Sequence, residues 1–251
     1  MEPKTSVSVV IPARDEQENI AGLVTEIDRV MHDRHDNPRF EIVLVDDGSG
    51  DQTLDTALST AAALGCALQA IRHERSIGQS GALQTGIRRA RGNLIITMDG
   101  DGQNDPADIP ALLQCAATIT AEDYCVAGFR KNRRDTQWKR FQSRLANRVR
   151  NALLRDGVPD TGCGLKLLPR ATFLRLPWFD HAHRFIPALV KGIGGQVAVV
   201  EVNHRHRQQG VSKYSAWNRT WAGIVDLVGI LWLLHRTRIA QVSEYRDTES
   251  A

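Results

Sequence analysis

Asp99 and Asp101 stand one residue apart at the end of the apolar run Ile95-Ile96-Thr97-Met98, and Gly102 and Gln103 follow them. Alternate side chains of a strand share a face, so both carboxylates can address one cation where the strand gives way to a glycine-rich turn. Hard oxygen donors in that arrangement suit Mg²⁺ or Mn²⁺, ions commonly shared with substrate phosphates. The amide oxygen of Gln103 can join them. Alone, an acid pair after a strand is a weak signal, because solvated loop acids look the same. Its weight comes from two further clusters, Pro12-Ala13-Arg14-Asp15-Glu16 and Asp46-Asp47-Gly48-Ser49, which also follow apolar runs.

Those clusters need a scaffold that gathers them. Apolar runs at 7–11, 40–45, 66–71 and 94–98 have strand length, and helical periodicity fills 18–31, 53–64 and 79–90. Such alternation predicts an α/β fold with a mostly parallel, Rossmann-like sheet and right-handed crossovers. Ligands of such sheets bind beyond the carboxyl ends of the strands, where all three acid clusters fall. A dinucleotide site is disfavoured, since Ile11-Pro12-Ala13-Arg14 stands where a G-x-G-x-x-G turn would be. Gly78-Gln79-Ser80-Gly81-Ala82 opens a helix and reads either as a phosphate-approaching turn or as a plain loop and cap.

In this order, Val9-Val10-Ile11-Pro12-Ala13-Arg14-Asp15-Glu16, Val45-Asp46-Asp47-Gly48-Ser49-Gly50-Asp51, Gly78-Gln79-Ser80-Gly81-Ala82 and Met98-Asp99-Gly100-Asp101-Gly102-Gln103 resemble the signatures of family 2 glycosyltransferases, which have the GT-A fold. More narrowly they resemble the polyprenyl-phosphate branch typified by dolichol-phosphate mannose synthase. The similarity spans residues 6–215. It implies that Pro12, Arg14 and Glu16, with Asp46 or Asp47, hold the base and ribose of a nucleotide-diphosphate sugar, and that Gly78 and Ala82 lie near the nucleotide. Asp99 matches the acid near ribose and donor; Asp101 and Gln103 match the metal ligands. The family more often has Ala or Ser where this chain has Gly100.

The resemblance continues into the second half. Phe129-Arg130 matches a Gly-Ser-Arg site in which the arginine meets the acceptor phosphate, with Phe129 in place of the small residue. Ser143 and Arg144 are further candidate acceptor contacts. Asp160-Thr161-Gly162-Cys163-Gly164-Leu165-Lys166 matches the turn and strand that line the acceptor side. Arg207-Gln208-Gln209-Gly210-Val211-Ser212-Lys213 matches R-x-x-G-x-S-K, whose Arg207 and Lys213 close on the donor diphosphate and offset charge on the leaving group. His204 and His206 read as polar loop residues rather than metal ligands.

The implied reaction is inverting transfer of sugar to a polyprenyl phosphate, with Asp99, Asp101, Arg207 and Lys213 as the catalytic set. A phosphate monoester is already largely anionic at neutral pH, so no general base is needed. A sugar-hydroxyl acceptor would need one, and Asp160 is the first candidate. A non-catalytic nucleotide-sugar scaffold would be expected to lose Asp101 or the 207–213 loop, and neither is lost. A processive polysaccharide synthase would carry Q-x-x-R-W, which is absent.

Membrane contact is expected at two places. Residues 136–155 read as a basic amphipathic helix, with Trp138, Phe141, Leu145, Val149 and Ala152 on one stripe and Lys139, Arg140, Arg144, Arg148 and Arg150 elsewhere. Residues 221–234 form an apolar run interrupted by Asp226, short of the roughly 20 residues a spanning helix needs. It reads as an interfacial helix, or one packed beside a second copy or a membrane-protein partner. These features predict a catalytic domain at 1–215, a membrane-associated helix and polar tail at 216–251, and peripheral attachment to the cytoplasmic face of the inner membrane. A net charge of +3 argues against a nucleic-acid partner. The four cysteines form no C-x-x-C pair, so neither zinc nor a disulfide framework is indicated.

Overall fold

Val9, Val10, Ile11 and the run Ile42, Val43, Leu44, Val45 are all completely buried, as expected of strands covered on both faces. Successive side chains alternate between two cores. Val9, Ile11, Ile42 and Leu44 face one packed with Ile20, Ile27, Ala57 and Leu112. Val10 and Val43 face the other, with Leu83, Ile87, Phe173 and Leu189. The computed structural model describes residues 6–34, 39–130, 150–205 and 216–236.

Among the described residues one seven-stranded sheet organises the fold: β1 (Ser6–Ala13), β2 (Arg39–Asp46), β3 (Leu68–Arg72), β4 (Leu94–Thr97), β5 (Tyr124–Arg130), β6 (Lys166–Pro169) and β7 (Gln196–Val202), in the order β3-β2-β1-β4-β6-β5-β7. The first four strands are mutually parallel, and β6 alone runs antiparallel, between β4 and β5. Helices α1 (Gln17–His32), α2 (Thr53–Leu64) and α4 (Ile109–Ala117) cover the first core. The second is covered by α3 (Gln79–Arg89), α5 (Arg170–Arg175) and α6 (Ile186–Gly192). The mostly parallel α/β sheet expected from sequence is therefore present. β3 starts at Leu68 rather than residue 66, because α2 ends on the left-handed Gly65. β5 runs on to Arg130, so that arginine ends a strand.

Two expectations about the membrane elements change. Of the 136–155 helix only its end is described: residues 150–154 are helical, and residues 136–149 lie outside the described residues. In that end the wheel is reversed. Arg150, expected on the basic outer face, is buried and donates through Nη2 to the Val158 carbonyl, while Ala152 is exposed. The chain after the helix folds back and supplies acceptors that a helical wheel cannot include. Helix α7 (Ala216–Arg236) contains the 221–234 run. Its Ile230 is fully buried and Leu227, Leu231, Leu233 and Leu234 pack on the second core, whereas Val225, Val228 and Trp232 are exposed. Asp226 does not merely interrupt the apolar run; it accepts a hydrogen bond from His181 Nδ1 at 2.9 Å. No described helix is long and apolar enough to cross a membrane.

Candidate active site

The carboxyl ends of β1, β2 and β4 form one rim, and the acid clusters build it. Asp47, just past β2, accepts from four donors: His73 Nδ1 (2.8 Å), Ser76 Oγ (2.6 Å) and the amides of Ile77 and Gly78 (both 2.9 Å). Burial alone would raise its pKa, but the amide of Ile77, then Ser76, His73 and the Gly78 amide, together hold it below the usual carboxylate value. Asp47 thus shapes the turn entering α3. Asp46 is fully buried; its Oδ1 accepts from the Ser49 amide at 2.8 Å, and Arg72 Nε lies 3.4 Å from its Oδ2. Gly48, at φ +73°, lies under the 75–76 backbone, and a Cβ there would stand 2.9 Å from the Ser76 nitrogen.

The turn after β1 is stitched to this one. Asp15, at φ +55°, donates its amide to Ser49 Oγ and accepts the Gly50 amide, both at 2.9 Å. Glu16 is buried, donates its amide to Thr53 Oγ1 and accepts from Asn19. Arg14 extends into solvent, Nε 3.8 Å from Asp15 Oδ2. Pro12 is half-buried beside Gly100, where a Cβ would stand 3.1 Å from the Pro12 carbonyl and 3.0 Å from Ala13 Cβ; the tight fit suits glycine here. Gly78, at φ +87°, caps α3, and the methyl of Ala82 is turned wholly into the core, which leaves only its backbone to meet a ligand.

Beyond β4, Asp99 Oδ1 accepts from Gln79 Nε2 at 2.7 Å, and its amide donates to Asn104 Oδ1 at 3.0 Å. Asp101 Oδ1 accepts the Gln103 amide at 3.1 Å. Burial, and then the neighbouring Asp101, push Asp99 up to about 6, against the pull of Lys166, Arg130 and Gln79. Gly164 lies directly against the Asp99 carboxylate, where any side chain would overlap it.

A buried acid with a second acid two residues on and an amide side chain two residues beyond that fit a hard divalent cation. Among the described residues no set of three His, Cys, Asp or Glu converges on a metal site. Asp101 and Gln103 would therefore share the ion with ligand oxygens and water, as Mg²⁺ commonly requires.

Arg130 donates through Nε to Asp160 Oδ2 (2.6 Å) and through Nη2 to Oδ1 (3.0 Å), a bidentate pair that is almost buried. Asp99 contributes to the field at this guanidinium. The candidate phosphate-binding arginine is thus held within the field of Asp99. Ser143, Arg144, Arg207 and Lys213 lie outside the described residues.

Three neighbours of Asp99 were not among the expected site residues. Gln79, Lys166 and His183 line a small pocket with Asp99, Thr97 and Gly164. Lys166 is 2% exposed and donates to the Cys163 carbonyl. A lysine opening an apolar strand was the available signal, since burying one requires partners. Gln79 and His183 gave none, because their partners come from distant segments.

Residues 8–176 match the model of a family described as glycosyl transferase family 2. A dodecaprenyl-phosphate galacturonate synthase of Rhizobium johnstonii is 36% identical over 231 residues, covering 91% of this chain and 67% of that protein. An undecaprenyl-phosphate 4-deoxy-4-formamido-L-arabinose transferase of Pseudomonas paraeruginosa is 37% identical over 215 residues, covering 85% and 62%. Among solved structures, glucosyl-3-phosphoglycerate synthase from Mycobacterium tuberculosis, in complex with Mn²⁺, UDP-glucose and glycerol 3-phosphate, superposes with a TM-score of 0.64 at 18% identity, covering 92% of this chain and 80% of that one. Mannosyl-3-phosphoglycerate synthase from Rubrobacter xylanophilus gives 0.66 at 19%, covering 96% and 79%. At such identity the likeness is one of fold, and the fold is GT-A. The chain spans 62 to 67% of the length of the two curated relatives.

Proposed function

Because the chain belongs to glycosyl transferase family 2, we propose that it moves a sugar, with inversion, from a UDP- or GDP-sugar to a polyprenyl phosphate at the cytoplasmic face of the membrane. The observation that carries this reading is that the buried Asp99 lies in the field of both Asp101 and Arg130, a guanidinium already oriented by Asp160. Both curated relatives are named for a polyprenyl-phosphate product or substrate, and a structural neighbour was crystallised with Mn²⁺ and UDP-glucose.

In the mechanism, the rim of Pro12, Arg14 and Glu16, with Asp46 or Asp47 and the Gly78–Ala82 segment, holds the nucleotide, and Asp99 lies near its ribose. Asp101 and Gln103 would hold Mg²⁺ or Mn²⁺, which when bound would supply Lewis-acid stabilisation of the departing diphosphate. Arg207 and Lys213 add positive charge to that leaving group. Arg130, Ser143 and Arg144 meet the acceptor phosphate, whose oxygen is anionic at neutral pH and attacks without a base. Much of the acceleration then comes from holding two anions in line. A hydroxyl acceptor would call on Asp160 as base, but both Asp160 oxygens are engaged by Arg130. The test is incubation with polyprenyl phosphate, Mn²⁺ or Mg²⁺ and a panel of radiolabelled UDP- and GDP-sugars. One sugar should pass into the organic phase, with loss of transfer in excess EDTA; label that stays water-soluble with every donor overturns the reading.

Attachment to the membrane is proposed to be peripheral, through the basic 136–149 stretch and the outer face of α7 with its exposed Val225, Val228 and Trp232. Each basic group near an anionic leaflet contributes about 1 kcal/mol, and salt screens it. In liposome flotation the protein should bind anionic vesicles at low salt and only partly at high salt. Arg140→Glu with Arg148→Glu should mimic high salt, and Val228→Ser with Trp232→Ala should remove the salt-resistant part. Equal binding to neutral and anionic vesicles at low salt would exclude this arrangement.

A further inference from the structure

Helix α7 is tied to the donor rim by a chain of polar contacts that begins at Asp226. The Nδ1 hydrogen of His181 goes to Asp226 Oδ2 at 2.9 Å. His181 has φ +62°, a left-handed conformation that a non-glycine residue holds only where its surroundings impose it. Its amide donates to Asp180 Oδ1 at 2.8 Å, so the ring and the backbone are both fixed.

The same turn grips α3. Trp178 Nε1 donates to the Ser80 carbonyl at 2.9 Å, and the His183 amide to Ser80 Oγ at 3.3 Å. The Ser80 hydroxyl also lies in hydrogen-bond contact with His183 Nδ1 at 2.7 Å, on a ring that is neutral. Burial, with the charges of Lys166 and Arg184, keeps it so. Ser80 adjoins Gln79, whose amide holds Asp99 at 2.7 Å. At the other end, α7 is seated by the fully buried Ile230 and by Leu234 against Gly192, where any side chain would collide with it.

We propose that Asp226 and His181 are positioning residues that couple the seating of α7 to the first turn of α3, and through Gln79 to Asp99. Neither touches substrate. Their role is to hold the 178–183 turn in its one gripping conformation, so that a helix with an outward apolar face is mechanically continuous with the donor site. The catalytic half of this inference rests on the transfer reaction proposed above; the structural half does not.

The test compares Asp226→Ala, Asp226→Asn and His181→Gly in the full chain. Asparagine keeps an oxygen to accept the Nδ1 hydrogen, and glycine adopts φ +62° without strain, so His181→Gly loses the contact but not the turn's backbone. Amide hydrogen exchange in a peptide covering residues 76–83 should quicken about fivefold or more in Asp226→Ala and His181→Gly, with the sheet unaffected and Asp226→Asn like wild type. Donor kcat/KM should fall about tenfold in the same two variants, as misplaced contact groups do, and stay within about twofold in Asp226→Asn. Adding Asp226→Ala to His181→Gly should cost nothing further. Unchanged exchange at 76–83 in either disrupting variant, or equal impairment in Asp226→Ala and Asp226→Asn, overturns the coupling. Should wild type transfer no sugar, the reaction assigned above fails while the exchange comparison still decides the coupling.

Discussion

Asp101→Asn is expected to abolish sugar transfer, by roughly a thousandfold or more, because the several kcal/mol that a bound divalent cation lends to a departing diphosphate convert at about tenfold per 1.4 kcal/mol. The fold should not suffer; without metal it should gain. Asp99 is pushed up to about 6 by burial and then by Asp101, against an ordinary value of 3.8. Between those values the native state binds a proton that the unfolded chain has released, so this group's contribution to stability falls as pH rises from about 4 to about 6 and stays lost above. Removing the Asp101 charge lowers the Asp99 pKa and returns part of that loss. Without metal, Asp101→Asn should therefore melt above wild type at pH 7.5 and level with it at pH 4. Excess Mn²⁺ should raise the wild-type Tm at pH 7.5 and leave the variant's unchanged. The same proton must leave before a cation can settle beside it, so wild-type Mn²⁺ affinity should strengthen from pH 5 to about 6 and then level off. Turnover within tenfold of wild type, or equal Mn²⁺ stabilisation of both proteins, would remove Asp101 from the metal site.

The parts of this architecture that were legible in the sequence are those set by local periodicity. Val9 to Ile11 and Ile42 to Val45 read as buried strands because both faces of each are covered and nothing polar interrupts them. The placement of three acid clusters on one rim followed from the parallel sheet alone. What escaped was decided by partners remote in sequence. The part Asp47 plays in the turn entering α3 is hidden until the 73–78 segment is seen to bring four donors to it. Arg150 reads as an outward cation until Val158 and Asp156 fold back onto it. Asp226 reads as a flaw in an apolar helix, because nothing near it in the chain announces His181. Lys166 closes the 160–166 signature, but its place in the pocket with Asp99 depends on β6 running antiparallel to β4, with Thr97 opposite Lys166.

Arg130 is the second residue whose loss should be large, and the choice of substitution decides what is learned. Truncation to alanine would leave Asp160 buried without its bidentate partner, a change that costs about 3–5 kcal/mol and confounds activity with folding. Arg130→Lys keeps the charge but cannot donate in parallel to two oxygens, so it should preserve most of the fold while misdirecting the cation. If Arg130 meets the acceptor phosphate, a lost charge-assisted hydrogen bond worth about 2–3 kcal/mol should appear as a roughly 30- to 150-fold fall in kcat/KM for polyprenyl phosphate. The KM for the nucleotide sugar should stay within about threefold, since binding lost at one substrate need not be felt at the other. Asp160→Asn provides the complementary case. It leaves the guanidinium charged but less firmly aimed, so it should impair the acceptor step less than Arg130→Lys. A hydroxyl-acceptor enzyme using Asp160 as base would invert that ranking, with Asp160→Asn the more damaging change by orders of magnitude and its defect confined to kcat. Steady-state kinetics with both substrates varied independently separates the two outcomes, because only the phosphate-acceptor mechanism places the larger penalty on the arginine.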